Sequence, residues 1–468
     1  MAGIGFQLRK MLARDSLSGQ AAAYGYAGFL SSGPWVFSIA GVLAIALVAR
    51  AGLAPEAQVT QFLVSVTYLM AGSVLLTGPL QLMFSRFVAD RVYERRQGQI
   101  FPNLLGAVAL TTAVSGLLAW TVVLVAFHEP LLRRALLVAN FVVLCDAWVL
   151  TVLLSGIKAH RAVLGLYLGA YASSVLAAFP LRSLGLDGLL VGFLVGQAGA
   201  MFTALGLLVH AFPGERRIRM DFLDPGQSHY VLGAVGLVFY VGSWADKALF
   251  WANPGTSSVA IGPLRYSILY DVPIFLAYLT VIPAMAVMFV WLEAEFAGRC
   301  HGFFAAVCDG APLHRIRLLR REMAESVRVG LVQVVEVQGA TLAIVVAVGP
   351  GLLRLVGVSP LYLRMFYVDS VGVAFQVLFI AVLNVLFYLD ERAMALALTC
   401  AYAVANVALT VVSQAMGPAY YGFGFAAAAL LPAAAGVVML ARRLAHLDRD
   451  TFMRQPLWPA EPLGAVNE

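Results

Sequence analysis

An acidic and a basic side chain stand next to each other inside a long apolar stretch of this chain. Asp246 and Lys247 lie within residues 230–251, which are otherwise apolar enough to cross a lipid bilayer. Ionisable side chains are costly in hydrocarbon, so those found there usually face a protein interior or a wet cavity and mark a pathway. Because buried carboxylates can exchange protons, the pair predicts coupling or passage of a substrate, with structural ion pairing as the alternative.

Further polar side chains are expected at the same depth. The transport or coupling candidates are Asp146, Asp246, Lys247, Gln333, Glu336, Gln338, Asn384 and Asn406. Successive residues of a helix point about 100° apart, so we expect that Asp246 does not neutralise Lys247. Lys247 then requires a carboxylate on another helix. Asp146 is the first candidate, because both side chains lie well inside apolar stretches.

Three prolines interrupt the apolar stretches and are candidates for helix kinks. They are Pro34, within the segment SSGPW, and Pro79 and Pro283. A proline removes one backbone hydrogen bond and bends the helix around it. In a bilayer the freed carbonyl needs a neighbouring group or water as its partner. Pro34 therefore suggests a bent first helix that lines a central cavity, and simple helix packing explains it equally well.

The sequence contains no motif for catalysis, for a cofactor or for a metal. It has no glycine-rich phosphate loop with its lysine, and its seven histidines form no pair at the spacing of a metal site on a helix. The four cysteines lack the spacing of a zinc site, and we expect reduced thiols. The sequence therefore predicts a protein that is not an enzyme and holds no cofactor.

The composition predicts an all-α membrane protein with many spans. Of 468 residues, 61% are hydrophobic and 12% are charged, whereas soluble domains are roughly 25% charged. A transmembrane helix needs about 20 consecutive apolar residues. By that measure twelve spans are predicted, at residues 22–48, 61–84, 104–127, 134–156, 162–180, 188–211, 230–251, 270–292, 329–353, 366–389, 393–414 and 422–441.

The basic residues predict the orientation of these spans. With the N-terminus inside, the inner segments hold 23 of the 31 Lys and Arg residues, and the outer segments hold 7. Positive residues favour the cytoplasmic side of a membrane, so both termini are predicted to be cytoplasmic. The same bias accounts for the net charge of +6 without nucleic acid as a partner.

The spans divide into two sets of six. Residues 76–84 of the second span resemble residues 279–289 of the eighth, and both halves would start on the same side. We therefore expect two six-helix lobes related by a pseudo-twofold axis along the membrane normal. The predicted units are an N-terminal interfacial helix (1–21), a first lobe (22–212), a cytoplasmic linker (213–229), a second lobe (230–441) with a cytoplasmic loop (293–328), and a cytoplasmic tail (442–468).

The predicted cytoplasmic loop is a second candidate site. Apolar residues recur in it at helical spacing, and four arginines accompany them: Arg315, Arg317, Arg320 and Arg321. These arginines are candidates for docking a cytoplasmic partner or for contact with anionic lipid. A solvated charged face that only helps to orient the protein in the membrane is the alternative.

Four segments make the chain resemble a known family. They are MAGIGFQLRK at residues 1–10, SSGPW at 31–35, DKALFW at 246–251 and YDVPIFLAY at 270–278. Together they resemble the PelG family of Pel exopolysaccharide transporters, within the multidrug/oligosaccharidyl-lipid/polysaccharide exporter superfamily. The resemblance implies two six-helix lobes in a bacterial inner membrane. It also implies transport of Pel, a polymer rich in N-acetylgalactosamine, toward the periplasm.

The same resemblance implies partners besides the lipid bilayer: a cytosolic glycosyltransferase, a cyclic-di-GMP receptor and a small membrane protein of the Pel system. It supplies no transport residues, so the candidates above rest on membrane depth alone. Two other functions stay open. One is a cation-coupled multidrug exporter of the same superfamily, and the other is a membrane scaffold that only docks the glycosyltransferase. The acids at membrane depth favour transport over scaffolding.

Reporter fusions test the predicted topology. Fusions after Arg96, Arg219, Arg321 and Arg443 should report the cytoplasm, and fusions near Glu56, Pro180 and Pro418 should report the periplasm. The reason is that positive charge is concentrated in the first set of segments. Alkaline phosphatase and green fluorescent protein give opposite signals on the two sides. A periplasmic signal after Arg321 would contradict the twelve-span arrangement.

Overall fold

Nearly all of the described chain is helical. The computed structural model describes residues 17–51, 55–157, 159–212, 214, 217–355 and 359–453. Six long helices occupy the first half: α1 (Leu17–Ala51), α2 (Glu56–Tyr93), α3 (Ile100–Ala126), α4 (Leu131–Gly156), α5 (His160–Leu181) and α6 (Leu186–Ala211). Residues 1–16 of the predicted interfacial helix and residues 454–468 of the predicted tail lie outside the described ranges.

The second half contains further helices and one small sheet. Its elements are α7 (Tyr230–Ala252), β1 (Ser258–Ile261), β2 (Leu264–Tyr266), α8 (Ile268–Leu279), α9 (Ile282–Val290), α10 (Ala297–Cys308), α11 (Leu313–Leu355), α12 (Leu363–Tyr388), α13 (Arg392–Met416), α14 (Phe423–Ala445) and α15 (Leu447–Met453). A π-helical segment, Trp291–Phe296, joins α9 to α10, so these three form one continuous helical stretch.

The described helices are those of a membrane protein. Ten helical stretches are long and apolar enough to cross a bilayer, and α1 makes an eleventh if its two parts form one span. The remaining predicted span, α7, falls short because Asp246 and Lys247 lower its mean hydropathy. The all-α membrane class is confirmed, whereas length and apolarity alone do not establish the count of twelve.

The packing of helices in the first half recurs in the second half, with an offset of six spans. In the first half α1 packs on α5, α2 and α3 pack on α4, and α6 packs on both α4 and α5. In the second half α7 packs on α13, α8 and α11 pack on α12, and α14 packs on both α12 and α13. The helices therefore form two lobes of the same architecture, as predicted.

The contacts between the lobes show how the lobes are related. α1 packs on α9, and α2 packs on α7. Exchanging the lobes converts the first pair into the second, which is the behaviour of a twofold interface. Because an even number of spans separates equivalent helices, the axis lies along the membrane normal, as in a parallel repeat.

The first helix is bent at its proline. Its parts Ala23–Gly33 and Val36–Arg50 meet at 63°, and Pro34 lies between them. The bend is explained by the backbone hydrogen bond that a proline ring removes. Pro79, in contrast, lies inside the continuous helix α2, and Pro283 lies at the start of α9, where a proline needs no hydrogen-bond partner. The first of the three kink candidates lies at the 63° bend between the two parts of α1.

The second lobe contains a β-hairpin that was not expected and a long helix that begins within the predicted loop. A β-hairpin connects α7 to α8, with Ser258 of β1 opposite Tyr266 of β2. Residues 293–328, expected as a cytoplasmic loop, are helical except for a short turn between α10 and α11. α11 is a single helix of 43 residues, about 64 Å long at 1.5 Å per residue. It therefore extends well beyond a hydrocarbon core of about 30 Å.

Candidate functional site

Buried polar side chains meet inside the second lobe. We name them the lobe-2 charge cluster: Asp246 and Lys247 of α7, Tyr270 of α8, Asp369 of α12 and Asn406 of α13. All five are buried, and Lys247 is the most exposed of them at 7%. The apolar faces of these helices pack into one continuous core, which holds the cluster in place. The sequence therefore folds four helices around charges that water does not reach.

Lys247 pairs with the acid of its own helix. Its Nζ lies 3.0 Å from Oδ2 of Asp246. The expectation that adjacent residues would not pair, and that Asp146 would neutralise Lys247, is wrong. The flexible four-carbon stem of lysine brings the ammonium back over its neighbour. The ring centroids of Tyr278 and Phe425 lie 5.1 and 5.6 Å from Nζ, within the range of cation–π attraction.

Neighbouring helices complete the surroundings of Asp246. The hydroxyl of Tyr270 donates to Oδ2 at 2.6 Å, and Nδ2 of Asn406 donates to Oδ1 at 3.2 Å. The same amide donates to the carbonyl of Gly242 at 2.7 Å, which ties α13 to α7. The ring of Tyr270 stacks on Phe250 with centroids 4.0 Å apart. Because hydrogen bonds to a charged group are strong, the charge of Asp246 holds α7, α8 and α13 together.

Asp369 is the least satisfied member of the cluster. It is completely buried, and neither carboxylate oxygen has a hydrogen-bond partner among the residues that the structure describes. Asp246 and Lys247 are near enough to act on it electrostatically. Gly422, at φ 84°, faces it, and a methyl group there would lie 2.6 Å from Oδ1. Glycine at this position therefore makes room for the buried carboxylate of Asp369.

The acid of the first lobe is separate from this cluster. Asp146 of α4 is 4% exposed, and its Oδ2 accepts a hydrogen bond from the hydroxyl of Thr112 in α3 at 2.7 Å. Its Oδ1 has no partner within the described ranges. Among its described residues the first lobe therefore buries one half-satisfied carboxylate, whereas the second lobe buries a network.

A cavity of about 730 Å³ lies where α1, α9 and α11 meet. Tyr24 and Phe37 of α1 and Pro283 of α9 form part of its wall. The candidates Gln333 and Glu336 of α11 also line it, and Glu336 is exposed. The cavity therefore lies between the two lobes and combines an apolar wall with one carboxylate and one amide.

Gln338 and Asn384, the remaining two candidates, lie outside both the lobe-2 charge cluster and the cavity. Gln338 is 2% exposed, and its side-chain amide has no partner within the described part of the chain. Asn384 donates to the carbonyl of Ile380 in its own helix at 2.9 Å. Of the eight candidates, Asp246, Lys247 and Asn406 thus share one site, and Gln333 and Glu336 share another.

The four arginines proposed for docking differ in their surroundings. Arg315, Arg317 and Arg321 are exposed, and Arg320 is half-buried. Arg320 donates to the carbonyl of Leu444 at 2.9 Å, and its Nε lies 3.7 Å from Oδ1 of Asp448. It therefore holds the end of α14 against α11. Nε of Arg317 also lies 3.7 Å from Oδ2 of Asp448, and docking at the four arginines stays a prediction.

Sequence reasoning missed two members of the cluster, Asp369 and Tyr270. Asp369 stands near the end of a predicted span, where a carboxylate is expected to reach water. A tyrosine at a similar position is typical of the aromatic belt. One signal was available: Asp369 is an acid inside a predicted span of the same predicted lobe as Asp246 and Lys247.

Solved structures share this architecture. The outward-facing conformation of a multidrug resistance MATE family transporter of the MOP superfamily aligns with a TM-score of 0.63 and 12% identity, covering 90% of this chain and 96% of that chain. A MOP superfamily transporter from Pyrococcus furiosus aligns with a TM-score of 0.61 and 12% identity, with the same coverage. A MATE structure in the bent conformation aligns with a TM-score of 0.62 and 13% identity, covering 96% and 99%. At these identities the likeness shows the fold alone.

The fold is therefore that of a multi-pass membrane transporter with two lobes. The family PelG, exopolysaccharide exporter (EPS-E), matches residues 1–452. The chain belongs to this family, and the resemblance seen in four short segments is confirmed over nearly its whole length. No protein of curated function matches the chain.

A double-mutant cycle tests the Asp246–Lys247 pair. Lys247→Met leaves a buried carboxylate without its cation, and Asp246→Asn leaves a buried ammonium, so each should cost about 3–5 kcal/mol of stability. The double variant leaves neither charge and should cost less than the sum. Thermal unfolding of the four proteins in detergent measures the coupling.

The matched control is the cycle of Lys247→Met with Asp146→Asn. These residues lie in different lobes, so their effects on stability should add. Additive effects of Lys247→Met and Asp246→Asn would contradict the ion pair in the structure.

Proposed function

We propose that this protein carries Pel exopolysaccharide from a cytosolic synthase across the bacterial inner membrane toward the periplasm. Its membership of the exopolysaccharide exporter family and its two-lobed transporter fold support this function. In the proposed orientation both termini lie in the cytoplasm, in agreement with the bias of Lys and Arg. The expected substrate is a polymer rich in N-acetylgalactosamine, as the family resemblance implies.

One observation carries the proposal of energy coupling: Asp369 is buried without a hydrogen-bond donor from any described residue. An uncompensated buried charge costs several kcal/mol, so a proton or a small cation is expected to neutralise this carboxylate. Lys247 is already paired with Asp246. Because a proton or a small cation binds a carboxylate reversibly, it can exchange with either side of the membrane when the lobes move.

Two helices that carry the cluster, α7 and α8, are also connected to the contacts between the lobes. α7 carries Asp246 and, about three turns earlier, Gly236, which touches Gly78 of α2. α8 carries Tyr270 and leads into α9, which packs on α1. A change of charge that repacks α7 against α8 therefore acts on both helix pairs that join the lobes. Rocking of one lobe against the other is the expected response.

A scaffold for the glycosyltransferase is the second candidate function. The observation that favours it is the helical extension formed by α10 and the start of α11, which carries the exposed Arg315, Arg317 and Arg321. Docking at this surface and transport are compatible, so we include the glycosyltransferase, the cyclic-di-GMP receptor and the small membrane protein as proposed partners. A cation-coupled multidrug exporter is the third candidate, because it shares the fold.

Neutralising Asp369 tests the coupling. Asp369→Asn keeps the shape of the side chain and removes the exchangeable charge. Secreted polysaccharide should fall strongly while the amount of protein in the membrane stays unchanged, because transport loses its coupling site. Asp146→Asn should also reduce secretion. Lectin binding to the secreted polymer and immunoblots of the membrane fraction provide the measurements.

Asn384→Ala is the matched control, because Asn384 lies in the same helix as Asp369 and donates to its own backbone. It should leave secretion unchanged. Normal secretion with Asp146, Asp246 and Asp369 all changed to Asn would contradict a transport role of these acids. Efflux of a cationic dye without secretion of polysaccharide would favour the multidrug exporter.

The exposed arginines test the docking of the synthase. Changing Arg315, Arg317 and Arg321 together to Ala should weaken co-purification of the cytosolic glycosyltransferase. Single changes should be nearly silent, since an exposed ion pair contributes only about 0.2–1 kcal/mol. Arg320→Ala is the contrasting variant, because it should loosen α14 and lower abundance. Undiminished co-purification of the triple variant at physiological salt would count against docking at this face.

A further inference from the structure

The two helix pairs that join the lobes are held together in different ways. We name them the α1–α9 interface and the α2–α7 interface. The pseudo-twofold axis relates one to the other, so equal strength would be the simplest expectation. The described contacts instead place polar bonds at both ends of the α2–α7 interface and apolar contacts at the α1–α9 interface.

In its middle, the α2–α7 interface brings two helix backbones together. A methyl group on Gly236 would overlap the carbonyl oxygen of Gly78, and one on Gly78 would lie 2.6 Å from the ring of Tyr240. The hydroxyl of Tyr240 donates to Oε1 of Gln81 at 3.2 Å. Small residues that let helices touch, joined by a hydrogen bond between the helices, are the main means of helix association in membranes.

At one end of this interface, the β-hairpin of the second lobe accepts hydrogen bonds from α2 of the first lobe. Nε2 of Gln61 in α2 donates to the carbonyl of Ala260 at 3.2 Å. The hydroxyl of Tyr68 in α2 donates to the carbonyl of Arg265 at 2.8 Å. The ring of Tyr68 also stacks on Trp251 with centroids 4.5 Å apart. Backbone carbonyls of a short hairpin thus serve as acceptors for side chains of the opposite lobe.

At the other end, a histidine bridges the lobes. Nε2 of His229 lies 2.7 Å from Oδ2 of Asp90, and its Nδ1 lies 2.6 Å from Nη1 of Arg392. A guanidinium only donates, so Nδ1 accepts and the proton on Nε2 is donated to Asp90. Arg86 of α2 also lies 3.9 Å from Asp390 of the second lobe. Charged groups of both lobes therefore meet where α7 begins.

Where the side chains of α1 and α9 are described, the α1–α9 interface is apolar by comparison. Its buried cluster consists of Ala27, Leu30, Val290 and Ala294. A methyl group on Gly28 would lie 3.2 Å from Cβ of Ala286, so the helices are in contact there. Inside a bilayer, apolar contacts between helices gain little over contacts with lipid, because lipid tails are equally apolar. This interface is therefore the easier one to open.

The cavity of about 730 Å³ lies beside the same interface. Its size and its mostly apolar wall with a few polar groups are typical of a ligand site. Tyr24 and Phe37 provide aromatic rings, and Gln333 and Glu336 provide hydrogen-bonding groups. The bend at Pro34 lies in the α1 wall of the cavity.

From this difference we propose that the lobes pivot about the α2–α7 interface and separate at the α1–α9 interface, and that the cavity beside α1, α9 and α11 binds the exported polysaccharide. The proposal rests on the proposed function. The aromatic rings match the apolar faces of sugar rings. Gln333 and Glu336 match sugar hydroxyl groups, to which the carboxylate offers acceptors and the amide offers both donors and acceptors.

Reversible cross-links at the two interfaces test the proposal. In a background without Cys145, Cys300, Cys308 and Cys400, one variant carries Gly28→Cys with Ala286→Cys, and its matched control carries Gln61→Cys with Ala260→Cys. Both are treated in cells with the same short bifunctional thiosulfonate reagent and then with a reductant. Cross-linking the first pair should abolish secretion, and the reductant should restore it to the level of the untreated variant. Cross-linking the second pair should leave secretion unchanged.

A second readout does not depend on export. Spin labels on the same two pairs in purified, reconstituted protein should give a broad distance distribution at the α1–α9 interface and a narrow one at the hairpin. Loss of secretion with only the second pair cross-linked, a narrow distribution at the α1–α9 interface or a broad distribution at the hairpin would overturn the proposal. Secretion unaffected by either cross-link, together with the expected distances, would keep the pivot and overturn the proposed export function.

Discussion

The cost of placing charge where water cannot reach is the constraint on which the second lobe depends. Asp246 and Lys247 are tolerated because they neutralise each other and because Tyr270 and Asn406 donate to the carboxylate. These donors come from α8 and α13, so the charge of Asp246 is satisfied only when the helices pack in this arrangement. Asp369, in contrast, has no hydrogen-bond partner among the described groups for either carboxylate oxygen. A site that is nearly but not fully neutral is suited to taking up and releasing a small cation.

The two lobes share the packing of their helices, but the side chains that they bury differ. Equivalent helices pack in the same way in both lobes, yet the acid of the first lobe, Asp146, has a threonine as its partner in place of a network. The interfaces between the lobes differ in the same manner, since a hairpin follows α7 and spans only one of them. The two halves therefore share a packing of six helices and differ in the side chains that they bury.

The sequence predicted the fold well and the site in part. Long apolar stretches and the bias of basic residues report on the bilayer directly, so the helices and the two lobes followed from them. Pairing inside a lobe depends on side-chain reach, and helical angles alone gave the wrong partner for Lys247. Asp369 escaped notice because its position near the end of a span resembles an ordinary interfacial one. The β-hairpin is too short for a pattern of alternating residues to identify it.

The length of α11 has a mechanical consequence. Its cytoplasmic part in the proposed orientation carries the exposed arginines, and about four turns further along the same rod stands Glu336, in the wall of the cavity between the lobes. A continuous helix has no joint at which a displacement can be absorbed, so a tilt imposed at one end appears at the other. In the proposed function, polysaccharide in the cavity and a partner at the arginines would both contact this one helix, so by thermodynamic reciprocity each would change the affinity for the other. A glycosyltransferase bound at the cytoplasmic end of α11 would then respond to polysaccharide that is still in the cavity.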